Sequence, residues 1–361
     1  MLATSPPRTG TIYRTNPLED ARWDRFVERH PRSSAFHTRA WLEALRRTYG
    51  YQPVVVTTSA PDQDLEDGLL FCRVDSWLTG RRLVSLPFSD HCEPLVNDVA
   101  ALHELVAALK ADLRQEKLKY VELRPISAQL DLPEYFTASQ SFCFHQVDLT
   151  PSLEKLFASF HKDSTQRKIR RAEREGLIYE EGHSDALLDA FYRLMVLTRR
   201  RHQVPPQPKE WFKNLIDCFG DALKIHVAFK DQQATAAILT LRHNDTLIYK
   251  YGCSDGQFSN LGGMHLLFWR SIQEAKEAGL RTFDLGRSDT DNEGLITFKN
   301  RWGSVASELT YARCSASQQQ QQRAAQNGGS GWKERLVKQA FAHMPDRVLH
   351  SVGDILYKHV G

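Results

Sequence analysis

Apolar positions recur in two stretches at the same helical spacing. "WLEALRRTYG" (41–50) and "WFKNLIDCFG" (211–220) both read Trp-x-x-x-Leu-x-x-x-aromatic-Gly. Trp, Leu and the aromatic residue share one helical face, and glycine supplies the left-handed exit after the last turn. Each helix is followed by runs that predict a β-hairpin: "PVVVTT" then "GLLFCRV", and "KIHVAF" then "ATAAILTL". The connections, "SAPDQDLED" and "KDQQ", are polar, as turns are.

The repeat continues past the hairpins. "RLVSLPFSDHCEPLV", a helix around "ALHELVAALKADLRQEKL" and the strand "KYVELRP" are matched by "TLIYKYGCSDGQFSNL", "GGMHLLFWRSIQEAKEAG" and "LRTFDLGRS". Leu102, Leu105, Val106, Leu109 and Leu113 form a helical stripe in the first copy, and Leu266, Leu267, Ile272 and Ala275 a looser one in the second. Strand, loop, helix and strand in that order predict a crossover joining parallel strands. The pattern therefore predicts a mixed α/β (α+β) fold, one unit duplicated in tandem, with domains at 1–147 and 148–315. A doubly wound nucleotide fold would need repeated βαβ units and a G-x-G-x-x-G after its first strand, and the sequence has neither.

Beyond the repeat, "QQQQQRAAQNGGSG" lies within a low-complexity linker at 316–331. The remaining 332–361 predicts an amphipathic helical tail, with Trp332, Leu336, Val337, Ala340 and Phe341 on one face and Val348, Leu349, Val352, Ile355 and Leu356 on another. Two readings stand: the helices fold onto the body or a partner chain, or they lie on the inner leaflet of a membrane.

A chain of 361 residues, 41% hydrophobic and 25% charged, describes a globular protein of more than one domain. No run reaches the roughly 20 apolar residues of a membrane span. The first twenty residues lack the apolar middle of a signal peptide, so a cytoplasmic location is expected, with peripheral contact at the inner membrane through the tail. The six cysteines are scattered without a Cys-x-x-Cys pair or zinc spacing, and read as small core residues in a reducing compartment. A net charge of +3 is too slight to imply DNA as a partner, so anion sites must come from local clusters.

Two clusters qualify. Gly262 and Gly263 open the second crossover helix, where free N–H groups and the helix dipole suit a pyrophosphate; the competing reading is a plain helix start capped by Asn260. "RKIRRAER" places Arg167, Arg170, Arg171 and Arg174 on one helical face, either a phosphate clamp or a solvated surface. In the first copy, "PFSDHCEPL" sets Asp90, His91 and Glu93 at the position equivalent to the glycine loop. His91 is there either a general base or a hydrogen-bonded loop residue.

"DLGRSDTDNEGLITFKNRWG" (284–303) is the densest stretch of charge, holding Asp284, Arg287, Asp289, Asp291, Glu293 and Lys299. An EF-hand is excluded because the twelfth residue from Asp289 is Asn300 rather than a bidentate Glu. Asp289-x-Asp291 is similar to the Asp-x-Asp of metal-dependent nucleotide-sugar transferases, a pattern common by chance. No cluster of metal ligands at standard spacing is present, and no metal is expected.

The order "RKIRRAEREGL", "YKYG", "GGMHLLFWRSIQEAKEAG", "FDLG" and "FKNRWG" resembles the Fem family of peptidoglycan-bridge aminoacyltransferases and their Gram-negative relatives. The resemblance covers roughly 12–315, strongest over 160–305, and "LPFSDHCEPLV" is similar to a branch associated with exopolysaccharide and exosortase systems. It implies two GNAT-like acyltransferase domains. It places Lys299, as the lysine of the Phe-Lys motif, in the transfer site, and assigns Arg170, Arg171, Tyr249 and Tyr251 to the phosphates of a nucleotide-linked substrate. It implies acyl-CoA or aminoacyl-tRNA as donor and a small-molecule, lipid-linked or nucleotide-linked glycan as acceptor. The long helical arm that some members use with tRNA is absent from this chain, which favours a thioester donor. Acyl transfer also employs the charged stretch: a carboxylate among Asp284, Asp289 and Asp291 accepts the amine proton, and Lys299 stabilises the oxyanion. No Ser-His or Cys-His pair is evident, and none is required. The alternative from another class is a non-catalytic anion-binding scaffold of the same fold.

Overall fold

The computed structural model describes residues 10–126, 130–316, 352–353 and 356–359, which divide into two compact units. Unit 1 takes 10–126, 130–141, 309–316 and 356–359; unit 2 takes 142–308 and 352–353. Most of the expected C-terminal tail, and the linker beyond Ala316, lie outside the described residues.

Unit 1 begins with β1 (Tyr13–Thr15), α1 (Ala21–Arg29) and α2 (Arg39–Tyr49). Thr38 caps α2 by accepting the Trp41 N–H, and Gly50, at φ 74°, closes it in the left-handed conformation. Strands β2 (Gln52–Thr57), β3 (Leu69–Ser76) and β4 (Gly80–Val84) form an antiparallel meander. Then α3 (Val99–Gln115), capped by Asp98, crosses over to β5 (Tyr120–Leu123), which pairs parallel to β4. The stripe Leu102, Leu105, Val106, Leu109 and Leu113 packs with Phe71, Leu83 and Val121 as the core on this face. Strand β6 (Thr137–Asp148) runs from unit 1 into unit 2.

Unit 2 repeats the plan with additions. It contains α4 (Leu153–Ser159), α5 (Arg167–Arg174), β7 (Ile178–Gly182), α6 (Asp185–Arg201) and α7 (Lys209–Phe219). Strands β8 (Leu223–Lys230), β9 (Gln233–His243) and β10 (Thr246–Ser254) form the meander. Helix α8 (Gly263–Glu277) crosses over to β11 (Thr282–Asp289), parallel to β10; α9 (Glu293–Asn300) and β12 (Val305–Ser315) follow.

The sheet orders show how faithful the duplication is. Unit 1 reads β1-β2-β3-β4-β5-β12 and unit 2 reads β7-β8-β9-β10-β11-β6, each with one parallel pair in the fourth step. The last strand of each sheet comes from the other copy: β12 lies antiparallel on β5, and β6 antiparallel on β11. The units are thus not contiguous in sequence. Trp41 and Trp211 both have no exposed surface and both precede a meander, as the repeat predicts. Trp211 also donates its indole N–H to the Tyr251 hydroxyl at 2.9 Å, which satisfies a polar group that burial would otherwise penalise.

Helix α5 packs across the start of α8 through Ile169 and Ala172, its two buried residues. The approach is close enough to dictate glycine. A Cβ at Gly262, which sits at φ 84°, would stand 2.4 Å from the Lys168 carbonyl oxygen. Gly263 fits for a milder reason, since a Cβ there would meet Ala236 and Thr235 of β9 at 3.1 and 3.2 Å. Gly279, beyond the end of α8 at φ 76°, meets nothing within 4 Å. Both Gly262→Ala and Gly279→Ala should lose about 1–2 kcal/mol for a left-handed non-glycine residue, but Gly262→Ala should lose about 1–3 kcal/mol more for the overlap. Urea unfolding of the two variants measures the difference; equal losses would mean that α5 does not press on the α8 start.

Burial also sets a pH dependence. His226 in β8 and His265 in α8 are both pushed down from 6.5 to about 3, chiefly by burial, with Lys224 adding to the first and Lys168 and Arg301 to the second. Below pH 6.5 the unfolded chain binds protons that these folded imidazoles refuse, so stability present above 6.5 is lost as pH falls towards 3. Each contributes a slope approaching roughly 1.4 kcal/mol per pH unit across that window. Unfolding titrations at pH 7.5 and 5.5 should show a shallower loss for His226→Gln than for the parent chain, and an unchanged slope would contradict this assignment.

Candidate functional site

Strands β10 and β11 pair in parallel over only three steps, Thr246–Ile248 with Thr282–Asp284. Past that point β10 continues to Ser254 paired with β9, and β11 continues to Asp289 paired with β6. The strands part, and a bulge marks the parting in each. In β10 the register shifts between Tyr249 and Tyr251; in β11 it shifts between Asp284 and Arg287.

The β10 bulge has a consequence for side-chain direction. Unbroken alternation would put Tyr249 and Tyr251 on one face, but the extra residue, Lys250, separates them. Tyr249 packs on Phe268 of α8 with ring centroids 4.8 Å apart, and its phenol lies over Gly252, where a Cβ would stand 2.0 Å from the hydroxyl oxygen. Tyr251 turns to the other face, buried against Phe212 and accepting from Trp211. Of the two tyrosines, only Tyr249 is on the α8 side.

The β11 bulge is built from the charged stretch. Gly286 takes φ 71°, and its N–H donates to the Asp284 carboxylate at 2.6 Å. The Lys299 ammonium, reaching back from α9, donates to the carbonyls of Gly286 and Arg287 at 2.9 Å each. Asp284 and Lys299 are both buried, at 2% and 1% exposed. A lysine this deep needs its donors satisfied, and the bulge supplies the acceptors. Beside it the buried His145 of β6 bonds Asn300 of α9 at 3.0 Å, with its pKa lowered by burial. Asp284, Arg287 and Lys299 are therefore brought together. The Arg287 guanidinium lies 4.0 Å from the Phe142 ring centroid.

Asp289, Asp291 and Glu293 stand apart from that buried group. All three are exposed, Asp289 at the end of β11, Asp291 on the turn that follows and Glu293 at the start of α9, which Asn292 caps by accepting the Leu295 N–H. Among the described residues no group of three or more His, Cys, Asp or Glu is gathered as a metal ion would need.

At the α8 start, Gly262 is itself the N-cap and Asn260 is exposed in the preceding 3-10 turn (Gly256–Leu261). The space that Gly262 leaves is filled by the Lys168 carbonyl rather than left open. Arg167 and Arg170 are exposed; Arg170 lies over the Phe157 ring at 5.3 Å, and Arg171 pairs with Glu175 at 3.5 Å. His265, one turn into α8, faces Trp302 and Phe298 of the Phe-Lys-x-x-Trp-Gly segment. Sequence reading groups Lys168 with the basic run and passes over His265, since neither contact has a periodic signature.

In unit 1 the equivalent loop carries Asp90 and His91. His91 is buried against Phe36 with ring centroids 5.1 Å apart, and the Asp90 carbonyl accepts from the Tyr311 hydroxyl at 2.7 Å. The loop is tied down by Arg124, which donates to the carbonyl of Leu86 and pairs with Glu122 at 3.0 Å. Burial raises the Glu122 carboxyl, but Arg124 and Arg313 outweigh that and hold it below the usual range. This buried cluster, absent from the sequence reading, has only the charged letters of "VELRP" as its signal.

Comparison with known proteins bears on the fold and on the second half of the chain. Residues 159–300 match the acetyltransferase (GNAT) domain family. A 159-residue stretch is 26% identical to the UDP-N-acetylmuramoylpentapeptide-lysine N(6)-alanyltransferase of Weissella viridescens, covering 43% of this chain and 47% of that protein. The matched stretch thus spans about half the length of that relative. The crystal structure of FemX superposes with a TM-score of 0.66 at 15% identity, over 87% of this chain and 99% of the other. A tandem GNAT protein from the clavulanic acid biosynthesis pathway superposes at 0.52 with 10% identity, over 85% and 98%. Residues 159–300 accordingly match the GNAT domain family, and the chain has the fold of tandem GNAT proteins.

Proposed function

We propose that this protein transfers an acyl or aminoacyl group from an activated donor, acyl-CoA or an aminoacyl-tRNA, to an amine of a cell-envelope or exopolysaccharide precursor. The observation that carries the reading is the parting of β10 from β11 beside the α8 start. Where parallel strands separate, the facing backbone of Tyr249–Ser254 leaves the ladder, and an extended amide-bearing arm can pair with it as an added strand. Phosphates of such a donor then reach Arg167, Lys168 and Arg301 and the helix dipole of α8.

In the reaction the amine nitrogen attacks the donor carbonyl. The C–N bond forms, the C–S or C–O bond to the carrier breaks, and the amine proton passes through a base to the leaving group or solvent. We assign the acceptance of that proton to the exposed carboxylates Asp289 and Asp291. Asp284 and Lys299 act through the β11 backbone, as positioning residues that hold the bulge open. The acceptor class rests on the lysine-directed alanyl transfer named for the Weissella viridescens relative and on the sequence resemblance to exopolysaccharide-associated proteins. Among the described residues no helix is long and apolar enough to cross a membrane.

Mass analysis of amine acceptors after incubation with acetyl-CoA or alanyl-tRNA tests the reading, the expected product being the acceptor heavier by one acyl or aminoacyl group. Absence of transfer from both donor classes to muramoyl-peptide and aminosugar acceptors would favour the scaffold alternative. Within that assay, Lys299→Met should lower turnover and thermal stability together, because the buried Gly286 carbonyl and the part-buried Arg287 carbonyl lose this donor, at about 1–3 kcal/mol for a buried one. Full turnover in Lys299→Met would remove the β11 bulge from the mechanism. Arg167→Ala should instead raise the Michaelis constant for the phosphate-bearing donor by roughly tenfold or more with little change in stability; an unaltered constant would place the phosphates elsewhere.

A further inference from the structure

The turn between β3 and β4 in unit 1 exposes two adjacent large apolar residues, Trp77 at 84% and Leu78 at 56%. Their exposure is not a sign of a loose loop. The Ser76 hydroxyl accepts from the N–H groups of Leu78 and Thr79 at 3.2 and 3.0 Å, which fixes the turn. Every other tryptophan among the described residues is buried.

The surroundings of this tip are cationic. Lys119 lays its stem on Gly80 and donates to the Thr79 carbonyl at 3.4 Å, and Lys117 is exposed at the end of α3. Arg81 follows the tip directly, exposed and paired with the exposed Asp75 at 3.4 Å. Residues 356–359 are seated here too. Tyr51 donates to the carbonyls of Tyr357 and Lys358, Arg82 and Thr79 donate to the carbonyl of His359, and His359 stands edge-on to Trp77 at 5.6 Å. That arrangement adds the exposed Lys358 to the same rim.

We propose that this tip is a docking point for an anionic lipid surface. Trp77 enters the headgroup boundary, where an amphipathic indole is favoured, and Leu78 goes deeper. Arg81, Lys117, Lys119 and Lys358 meet lipid phosphates. A protein partner would need a broader apolar patch around the two residues, whereas the rim here is charged. The proposal does not depend on the transfer chemistry and holds equally for a scaffold.

Sedimentation of the full chain with vesicles tests it. Binding is expected to vesicles of phosphatidylglycerol and phosphatidylcholine in equal parts, to be weak on phosphatidylcholine alone, and to fall as salt is raised. The double variant Trp77→Ala, Leu78→Ala, with an unchanged melting temperature because both side chains are exposed, should bind roughly tenfold more weakly or worse. Brominated lipids should quench fluorescence in the parent chain and much less in Trp77→Phe, which retains binding and so isolates the one indole. Failure of the parent chain to sediment, equal binding by the double variant, or quenching undiminished in Trp77→Phe would each overturn the proposal.

Discussion

Everything distinctive in unit 2 follows from a parallel strand pair that cannot continue. Three steps of β10–β11 ladder end in a bulge on each strand. An open sheet edge of this kind, inside a domain, leaves backbone groups that must be satisfied or used. On β11 they are satisfied by charge: Lys299 caps two carbonyls and Asp284 one N–H. The bulge offers the buried lysine two acceptors, and the lysine in turn ties down the two bulge carbonyls. Position and charge are therefore one feature, which explains why a Phe-Lys segment ends in a tryptophan with no exposed surface. Trp302 and Phe298 pack α9 on α8, and so fix where the Lys299 side chain begins.

The same logic accounts for the glycines. Gly262 admits a neighbouring backbone, Gly252 a phenol ring and Gly286 a positive φ. At Gly262 and Gly252 the neighbouring atoms come closer than a Cβ permits. The α8 start is consequently a crowded place, with α5 pressed on it and cationic side chains around it, rather than an isolated helix end. Anion binding there would draw on Arg167, Lys168 and Arg301 as much as on the helix dipole.

Much of the fold was legible because it is periodic. The Trp-Leu-aromatic-Gly helices, the meanders and the crossovers all carry spacing that survives duplication, and Trp41 and Trp211 occupy matching places in the element order. The exchanged strands were not legible, because β12 on β5 and β6 on β11 join residues far apart in sequence. The bulges were not legible either, since one extra residue leaves no mark in composition. That single residue moved Tyr251 away from Tyr249 and into the core. The charged stretch was correctly marked as unusual, yet its members divide: Asp284 and Lys299 are internal, while Asp289, Asp291 and Glu293 face solvent. Alternation along a strand cannot reveal that division once the strand is bulged.

In the function proposed here, the gap between β10 and β11 receives the donor. Amide hydrogen exchange, followed residue by residue with and without acyl-CoA or a non-hydrolysable aminoacyl-tRNA analogue, tests it most directly. The account predicts that one donor class slows exchange at Tyr249–Ser254 and at the first turn of α8, with β8 and β9 unchanged. Protection that spares both segments and appears elsewhere in the chain would contradict it.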